Sequence, residues 1–378
     1  MQECTAYVGL DVHKDSIAVS LALGGEPPVE VGQIANEPSA VRRVVERLAR
    51  RHGRLEFAYE AGPCGYELYR LLLALGHGCV VAAPSLMPRR PGDHIKTDKR
   101  DAATLARLLR RGDLTAVWVP DAHHEAIREL VRCRADFKQV ERRGRQQLCA
   151  LLLRHGRSYA KSNWTQEHGR WLLGQRFDHP QTQLVFEHYL HSIMEAGERL
   201  GQLERQMEAA LAGWSLAALV RGLMAMRGIK LVAAMTHAAE LGDITRFGRA
   251  QELMAFVGLV PRESSSGPAR RLGRITKSGN GAVRRVLVES SWSYRHKPQL
   301  TPALRTRGKD ASEAVRAIAW KAQKRLHGRY HRLVNRGKSV QTAITAVARE
   351  QLGFIWAIGL QVMQEQHPEQ LAPATAGV

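Results

Sequence analysis

The sequence predicts an N-terminal α/β domain with a mixed sheet, then a helical, coiled-coil-like segment, then a mainly α C-terminal domain. Two patterns and one bulk property predict it. Short β-runs alternate with amphipathic helical stretches between residues 5 and 111, as layered α/β architectures require. Apolar residues then recur at helical spacing from residue 122 to residue 211. At 378 residues the chain is long enough for two or three domains with a sizeable core. The boundaries that follow are 1–121, 122–215 and 216–365, with a disordered tail at 366–378.

Residues 5–23 read as two β-runs around a polar segment from Asp11 to Ser16, a hairpin that opens the sheet. Asp11 interrupts an otherwise apolar run, which is costly in a buried strand unless its carboxylate meets a cation or a hydrogen-bond donor. Residues 38–52 form a basic amphipathic helix with Val41, Val44, Val45 and Leu48 on its apolar face. The next β-run, Leu55-Glu56-Phe57-Ala58-Tyr59-Glu60, is stopped by Ala61-Gly62-Pro63. A helix over 66–75, a β-run over 79–83 ended by Pro84, and a helix over 98–111 complete the alternation. In that last helix Asp98, Asp101, Leu105, Leu108 and Leu109 share a face, with Thr97 as N-cap and Gly112 as stop.

From 122 to 157 the apolar face is carried by Ile127, Leu130, Val131, Val140, Leu148, Leu151 and Leu152. Arginines and acids are interleaved on the other face, so a nucleic-acid-facing surface and a solvated one both stand. Phe186, Ile193, Leu200 and Met207 recur every seven residues over 181–211; Gly197 and Glu204 interrupt the second seam of Leu190 and Leu211. A helical hairpin or short coiled coil fits, suited to oligomerisation or spacing. Two short helices joined by a turn at Gly228 follow. Such a turn either offers N–H groups to a phosphate or serves packing alone. Helices are also predicted over 312–327 and 340–363.

The formal net charge of +20 predicts a polyanionic partner, with nucleic acid ahead of a membrane surface. Between Ser266 and Val340, 19 Lys or Arg stand against three acids, Glu289, Asp310 and Glu313, so the charge is concentrated as on a binding surface. Trp292, Tyr294, Trp320 and Tyr330 lie among these cations, to stack on unpaired bases or to fill a core. No window offers the roughly 18 apolar residues of a membrane span, and the N-terminus has no signal-peptide pattern. A cytoplasmic, nucleoid-associated protein with no membrane partner is expected. Five scattered cysteines without a Cys-x-x-Cys pair suggest reduced thiols, and His123-His124 after Pro120 reads as a solvated linker.

Asp11, Glu60, Asp98 and Asp101 come from three elements of one α/β unit and can converge. Taken alone, Asp98 and Asp101 would serve as helix-start carboxylates. Four converging carboxylates repel unless cations lie between them, and two divalent ions roughly 3.5–4 Å apart are the recurring solution in phosphodiester chemistry. Oxygen ligands favour Mg²⁺ or Mn²⁺. Far downstream, Ser264-Ser265-Ser266-Gly267 is followed by Arg270, Arg271, Arg274 and Lys277, with Arg262 before it and Arg284 and Arg285 after it. The stretch is either a flexible Ser-Gly loop or a hydroxyl among guanidinium groups, an arrangement suited to attack on a phosphodiester.

Gly9-Leu10-Asp11-Val12, Tyr59-Glu60-Ala61-Gly62 and Lys96-Thr97-Asp98, with Asp101-Ala102 after two further residues, resemble the Asp-Glu-Asp-Asp tetrad of the RuvC-like (RNase H-like) domain of insertion-sequence family 110 transposases. The downstream string Gly258-Leu259-Val260-Pro261-Arg262, the serine before Gly267, and Lys277-Ser278-Gly279 resemble the same family's second domain. The resemblance implies metal ligation by Asp11, Glu60, Asp98 and Asp101. It places the nucleophile on Ser266, with Ser264 and Ser265 as neighbours within one or two residues of register. It also implies donor and target DNA, a bridge RNA transcribed from the mobile element, and a homo-oligomer, dimer or tetramer, with active sites shared between subunits. The expected function is therefore a transposase that cuts and rejoins DNA through a phosphoserine, without a nucleotide cofactor. The alternatives are a RuvC-like metal-dependent endonuclease without serine chemistry, and a non-catalytic nucleic-acid-binding protein.

Overall fold

The Asp11-to-Ser16 segment turns the chain back on itself. β1 (Ala6–Val12) pairs antiparallel with β2 (Ser16–Leu23), and β2 pairs antiparallel with β3 (Val29–Ala35). After α1 (Pro38–His52) the chain returns as β4 (Leu55–Glu60), parallel to β1; α2 (Glu67–Ala74) leads to β5 (Gly78–Ala82), parallel to β4. The strand order is β3-β2-β1-β4-β5, a sheet that is mixed as predicted and has five strands, and α3 (Asp98–Arg111) follows it. The computed structural model describes residues 6–88, 97–264 and 271–368. Contacts divide the chain into two units, residues 1–119 and 120–378.

β3 was not expected from the sequence. It is an edge strand with exposed Val29 and Glu30, a glycine at φ 126° (Gly32) and a register shift opposite Val19 and Ser20, so period-2 alternation is weak there. One face of the sheet is covered by α1 and α2, whose Val41, Val44, Val45, Leu48, Leu68 and Leu72 pack with Val8, Leu10, Phe57 and Tyr59. Strand alternation turns Gly9 and Asp11 to the other face, where α3 lies. A Cβ on Gly9 would run into Ala102 O and Ala106 N, so this glycine allows the close approach of α3 to β1.

The second unit is helical. α4 (Ala122–Arg154), α5 (Gln166–Leu173) and α6 (Pro180–Ala210) come first, with α4 and α6 packed as a hairpin. The heptad expectation holds: Phe186, Ile193, Leu200 and Met207 are all buried. The antiparallel pairing is fixed by Arg134 to Glu204 at 2.6 Å, Arg199 over the Phe137 ring, and Gly144 beneath Ile193. α5 was not anticipated. It contributes Leu172 to a satellite core with Leu148, Leu151, Leu152 and Phe186.

α7 (Ala217–Met224), α8 (Leu231–Leu241), α9 (Ala250–Phe256), the hairpin of β6 (Pro261–Glu263) and β7 (Leu272–Ile275), α10 (Gly281–Ser291), α11 (Pro302–Arg307), α12 (Glu313–Asn335) and α13 (Val340–Gln366) complete the unit. α13 runs against α7, α9, α10 and α12, and buries Ile344, Val347, Leu352, Ile355 and Ile358. Ile127 and Val131 of α4 and Met207 of α6 join the same core, so the base of the helical hairpin is rooted in it. The solvated-linker reading of His123-His124 is corrected here. The pair lies in the first turn of α4 rather than in a linker; His123 is solvent-exposed as expected, but His124 is buried, with Nε2 2.8 Å from Ala239 O and its ring against Trp214. The Gly228 turn packs against Ser290 O and Ser293 of α10 and its continuation, which explains its glycine by packing. Tyr294 and Tyr330 are core residues, whereas Trp292 is 37% exposed. Among the described residues no helix is long and apolar enough to cross a membrane.

Candidate active site

Asp11 stands near the carboxyl end of β1, next to β4. The last register pair of these parallel strands is Leu10 with Tyr59, so Asp11 and Glu60 leave neighbouring strands at the same end of the sheet. α3 begins above that end. Thr97 occupies its N-cap position in an extended conformation, but its hydroxyl makes no capping bond; its carbonyl accepts from Arg100 N and Asp101 N instead. The expected hydroxyl cap is thus absent, while the expected stop at Gly112 is present, left-handed at φ 72°. Ala102, Leu105, Ala106 and Leu108 bury the apolar stripe and hold Asp98 and Asp101 at the sheet end.

Asp11 and Asp98 come together with a residue not anticipated in the sequence, His13. Its Nε2 lies 3.3 Å from Asp11 Oδ2 and 3.4 Å from Asp98 Oδ1, and one donor atom from each of the three residues falls within 4.8 Å of the others. Burial raises the Asp11 carboxyl above its ordinary value; His13 opposes the rise, and the charges of Asp101 and Asp98 add to it. A carboxylate in that setting is stabilised by a shared cation, and two oxygens with one imidazole nitrogen form a donor set that fits a divalent ion. Asp101, half-buried one turn along α3, acts on Asp11 through its charge. Glu60 is exposed at the rim and stands outside the three-residue group. The signal for His13 was its position two residues after Asp11, across the turn of the hairpin.

The serine stretch lies between the two arms of the β6–β7 hairpin. Ser265, Ser266 and Arg270 fall outside the described residues. Ser264, at the end of the first arm, is exposed, and its N–H donates to Arg271 O. The base of the hairpin is fixed tightly. Thr276 N donates to Val260 O and Lys277 N to Gly258 O, and Lys277 itself takes a left-handed φ of 56°. A Cβ on Gly258 would strike Ser278 O, and one on Gly279 would strike Phe256 O, so both glycines are needed where the two chain segments cross. Arg262, Arg271, Arg274 and Lys277 are exposed around this hairpin, and Arg285 is exposed on α10, where it lines a groove with Asp136 and Gln139 of α4. Arg284 is engaged differently: its Nη1 donates to Val257 O at 2.6 Å and to Ser278 O at 3.1 Å, and so clamps the turn.

Asn280 extends the clamp into the body of the unit. Its Oδ1 accepts from Ala282 N and Val283 N and caps α10, while its Nδ2 donates to Glu240 Oε2 at 2.6 Å. Glu240, on α8, is also held by Arg132 of α4, from Nε at 2.8 Å and Nη2 at 3.1 Å. Three helices thus meet at the base of the serine hairpin. Sequence reading missed this tie because its members lie far apart in the chain.

Residues 8–156 match the DEDD transposase profile of the IS110 group, and residues 220–305 match the profile described as transposase IS116/IS110/IS902 family. The chain is 45% identical over 363 residues to y4qE of Sinorhizobium fredii, an alignment covering 95% of this chain and 90% of that one. It is 28% identical over 340 residues to the transposase for insertion sequence element IS1533 of Leptospira borgpetersenii, covering 88% and 98% of the two chains. The five-stranded mixed sheet followed by helices is consistent with a RuvC-like fold, and a DEDD domain suggests a divalent metal. With both profiles in the expected order and a relative matched along nearly its whole length, the chain belongs to the IS110 family of transposases.

Proposed function

We propose that this transposase cuts and rejoins DNA at the ends of an insertion sequence through a phosphoserine on Ser266, with Asp11, Glu60, Asp98 and Asp101 as the acidic half of its chemistry. The observation that carries the reading is the convergence of Asp11 and Asp98, from different elements, at the carboxyl end of the sheet. Mg²⁺ or Mn²⁺ held there would polarise a phosphoryl oxygen and stabilise charge developing on the scissile phosphate. Asp11 and Asp98 would hold such an ion, with Asp101 and Glu60 adding negative charge beside them. The rigid base of the serine hairpin supports the second half of the reading, since a nucleophile is useful only when its approach is fixed.

In the serine step the Oγ–P bond forms as one backbone P–O bond breaks; the hydroxyl proton of Ser266 is lost and the departing deoxyribose oxygen takes one up. Rejoining is the reverse with a new DNA hydroxyl, so phosphodiester energy is conserved. Arg262, Arg270, Arg271, Arg274, Lys277 and Arg285 would neutralise phosphate charge around the serine, with Arg284 holding the turn beneath them. The family resemblance adds a bridge RNA pairing with donor and target DNA, and a homo-oligomer in which the acidic unit of one subunit serves the serine of another.

Trapping on a nicked or suicide DNA substrate tests the proposal. A covalent adduct on denaturing gels is expected for the native chain, lost in Ser266→Ala and strongly reduced in Asp11→Ala. Persistence of the adduct in Ser266→Ala would move the nucleophile to Ser264 or Ser265. DNA hydrolysis with no adduct at all would favour a metal-only endonuclease, and full activity of Asp11→Ala would leave the acidic group without a catalytic role.

A further inference from the structure

We infer that His13 is a nitrogen ligand of the metal held by Asp11 and Asp98, which makes this a mixed oxygen and nitrogen site selective for Mn²⁺ over Mg²⁺; the inference rests on the reading of the acidic group as a metal site. Nε2 of His13 lies 3.3 Å from Asp11 Oδ2 and 3.4 Å from Asp98 Oδ1. In an octahedral ion with bonds of about 2.1 Å, adjacent donors lie about 3.0 Å apart and opposite donors about 4.2 Å apart. The two separations from Nε2 are close to that of adjacent donors, and all three donor atoms lie within 4.8 Å of one another, near enough for small side-chain shifts to bring them onto one ion.

The imidazole is placed for this by its backbone. His13 N donates to Ser16 O at 2.9 Å, which closes the hairpin turn, and its carbonyl accepts from Asn36 Nδ2 at 2.8 Å. Both bonds hold the residue at the sheet end, where it is otherwise half exposed. A single Nε2 facing two carboxylates has at most one proton to share between them, whereas its lone pair can serve an ion that both carboxylates also bind. Imidazole is a borderline donor, preferred by Mn²⁺ over the harder Mg²⁺, which keeps water and oxygen ligands. The consequence is a metal preference set by one residue outside the acidic tetrad.

The test uses the tag-free, full-length chain titrated with Mn²⁺. Free Mn²⁺ is followed by its solution EPR signal, and the bound ion by pulsed EPR for coupling to a directly bonded ¹⁴N. Nitrogen coupling is expected in the native protein and absent in both His13→Ala and His13→Asp. Mn²⁺ affinity should fall at least about tenfold in His13→Ala. His13→Asp should keep an ion through an all-oxygen set and bring Mg²⁺ and Mn²⁺ affinities closer together. Bound Mn²⁺ without nitrogen coupling in the native protein, or coupling that survives in either variant, overturns the assignment while leaving the carboxylate site intact. Failure of the native protein to bind Mn²⁺ at all overturns the metal reading and this inference together.

Discussion

At the residue scale, the acidic group depends on a residue with no functional atoms. Gly9 lies two positions before Asp11 on the same face of β1, and the space a side chain would take there is filled by the backbone of α3 at Ala102 and Ala106. Since Asp98 opens that helix, the distance between Asp11 and Asp98 is set by this contact. Gly9→Ala should lower stability by about 1–3 kcal/mol, because backbone cannot give way as a flexible side chain does. It should also weaken Mn²⁺ binding, since displacing α3 separates Asp98 from Asp11. Urea-unfolding midpoints and the Mn²⁺ titration check the two effects. An unchanged midpoint would mean that α3 slides along β1 without cost.

At the element scale, what the sequence revealed follows from how each element keeps its contacts. The β1–β2 hairpin, β4, β5 and α3 were legible because each shows a full face of apolar residues to one core, and the seven-residue rhythm of α6 was legible for the same reason. β3 was not, since an edge strand with a bulge and a left-handed glycine has little apolar face to display. α10 escaped notice because Val283 and Leu287 provide only two fully buried apolar positions, with the consecutive Arg284 and Arg285 between them. Asp11, Asp98 and Asp101 could be assembled on paper because α/β alternation brings a strand end and a helix start together. His13 was missed, since its place beside both carboxylates depends on the turn that folds it back over Asp11. The tie of Arg132, Glu240 and Asn280 was equally hidden, and it joins α4, α8 and the cap of α10 beneath the serine hairpin. Burial would raise the Glu240 carboxyl, but the hydrogen bonds and charge of Arg132 and the bond from Asn280 outweigh it and hold the group below its ordinary value. The sign follows. This contribution to stability is present above about pH 4.5, the ordinary value, and is lost as pH falls through the lower folded value. Glu240→Ala should cost about 1–3 kcal/mol near neutral pH by leaving buried partners unsatisfied. The gap between native and variant unfolding midpoints should close as the medium is acidified below pH 4.5. A gap that stayed constant with pH would assign the loss to packing rather than to the carboxylate.

At the scale of the whole molecule, the charge is divided by task. The first unit gathers carboxylates at one end of its sheet, while most of the net positive charge sits in the second unit, between Ser266 and Val340. Composition made that division legible, but it did not separate cations that are free for phosphate from cations used inside the fold. Arg284, Arg132 and Arg134 are among those used inside, on main-chain oxygens or on Glu240 and Glu204. Arg274, on the serine hairpin, and Arg285, on α10, remain exposed. Each phosphate neutralised on duplex DNA releases counterion, so the logarithm of the binding constant falls with the logarithm of salt concentration by about 0.9 per contact. Replacing Arg274 and Arg285 together by alanine should therefore flatten the salt dependence of DNA binding by about 1.8 if both reach phosphates. The same double change should leave Mn²⁺ binding as it was, because neither residue belongs to the acidic unit. Fluorescence anisotropy with a labelled duplex across a salt series reads the slope directly. A weaker affinity with an unaltered slope would mean that these arginines shape the hairpin rather than meet the DNA backbone, and would shift the phosphate contacts to Arg262, Arg271 and Lys277.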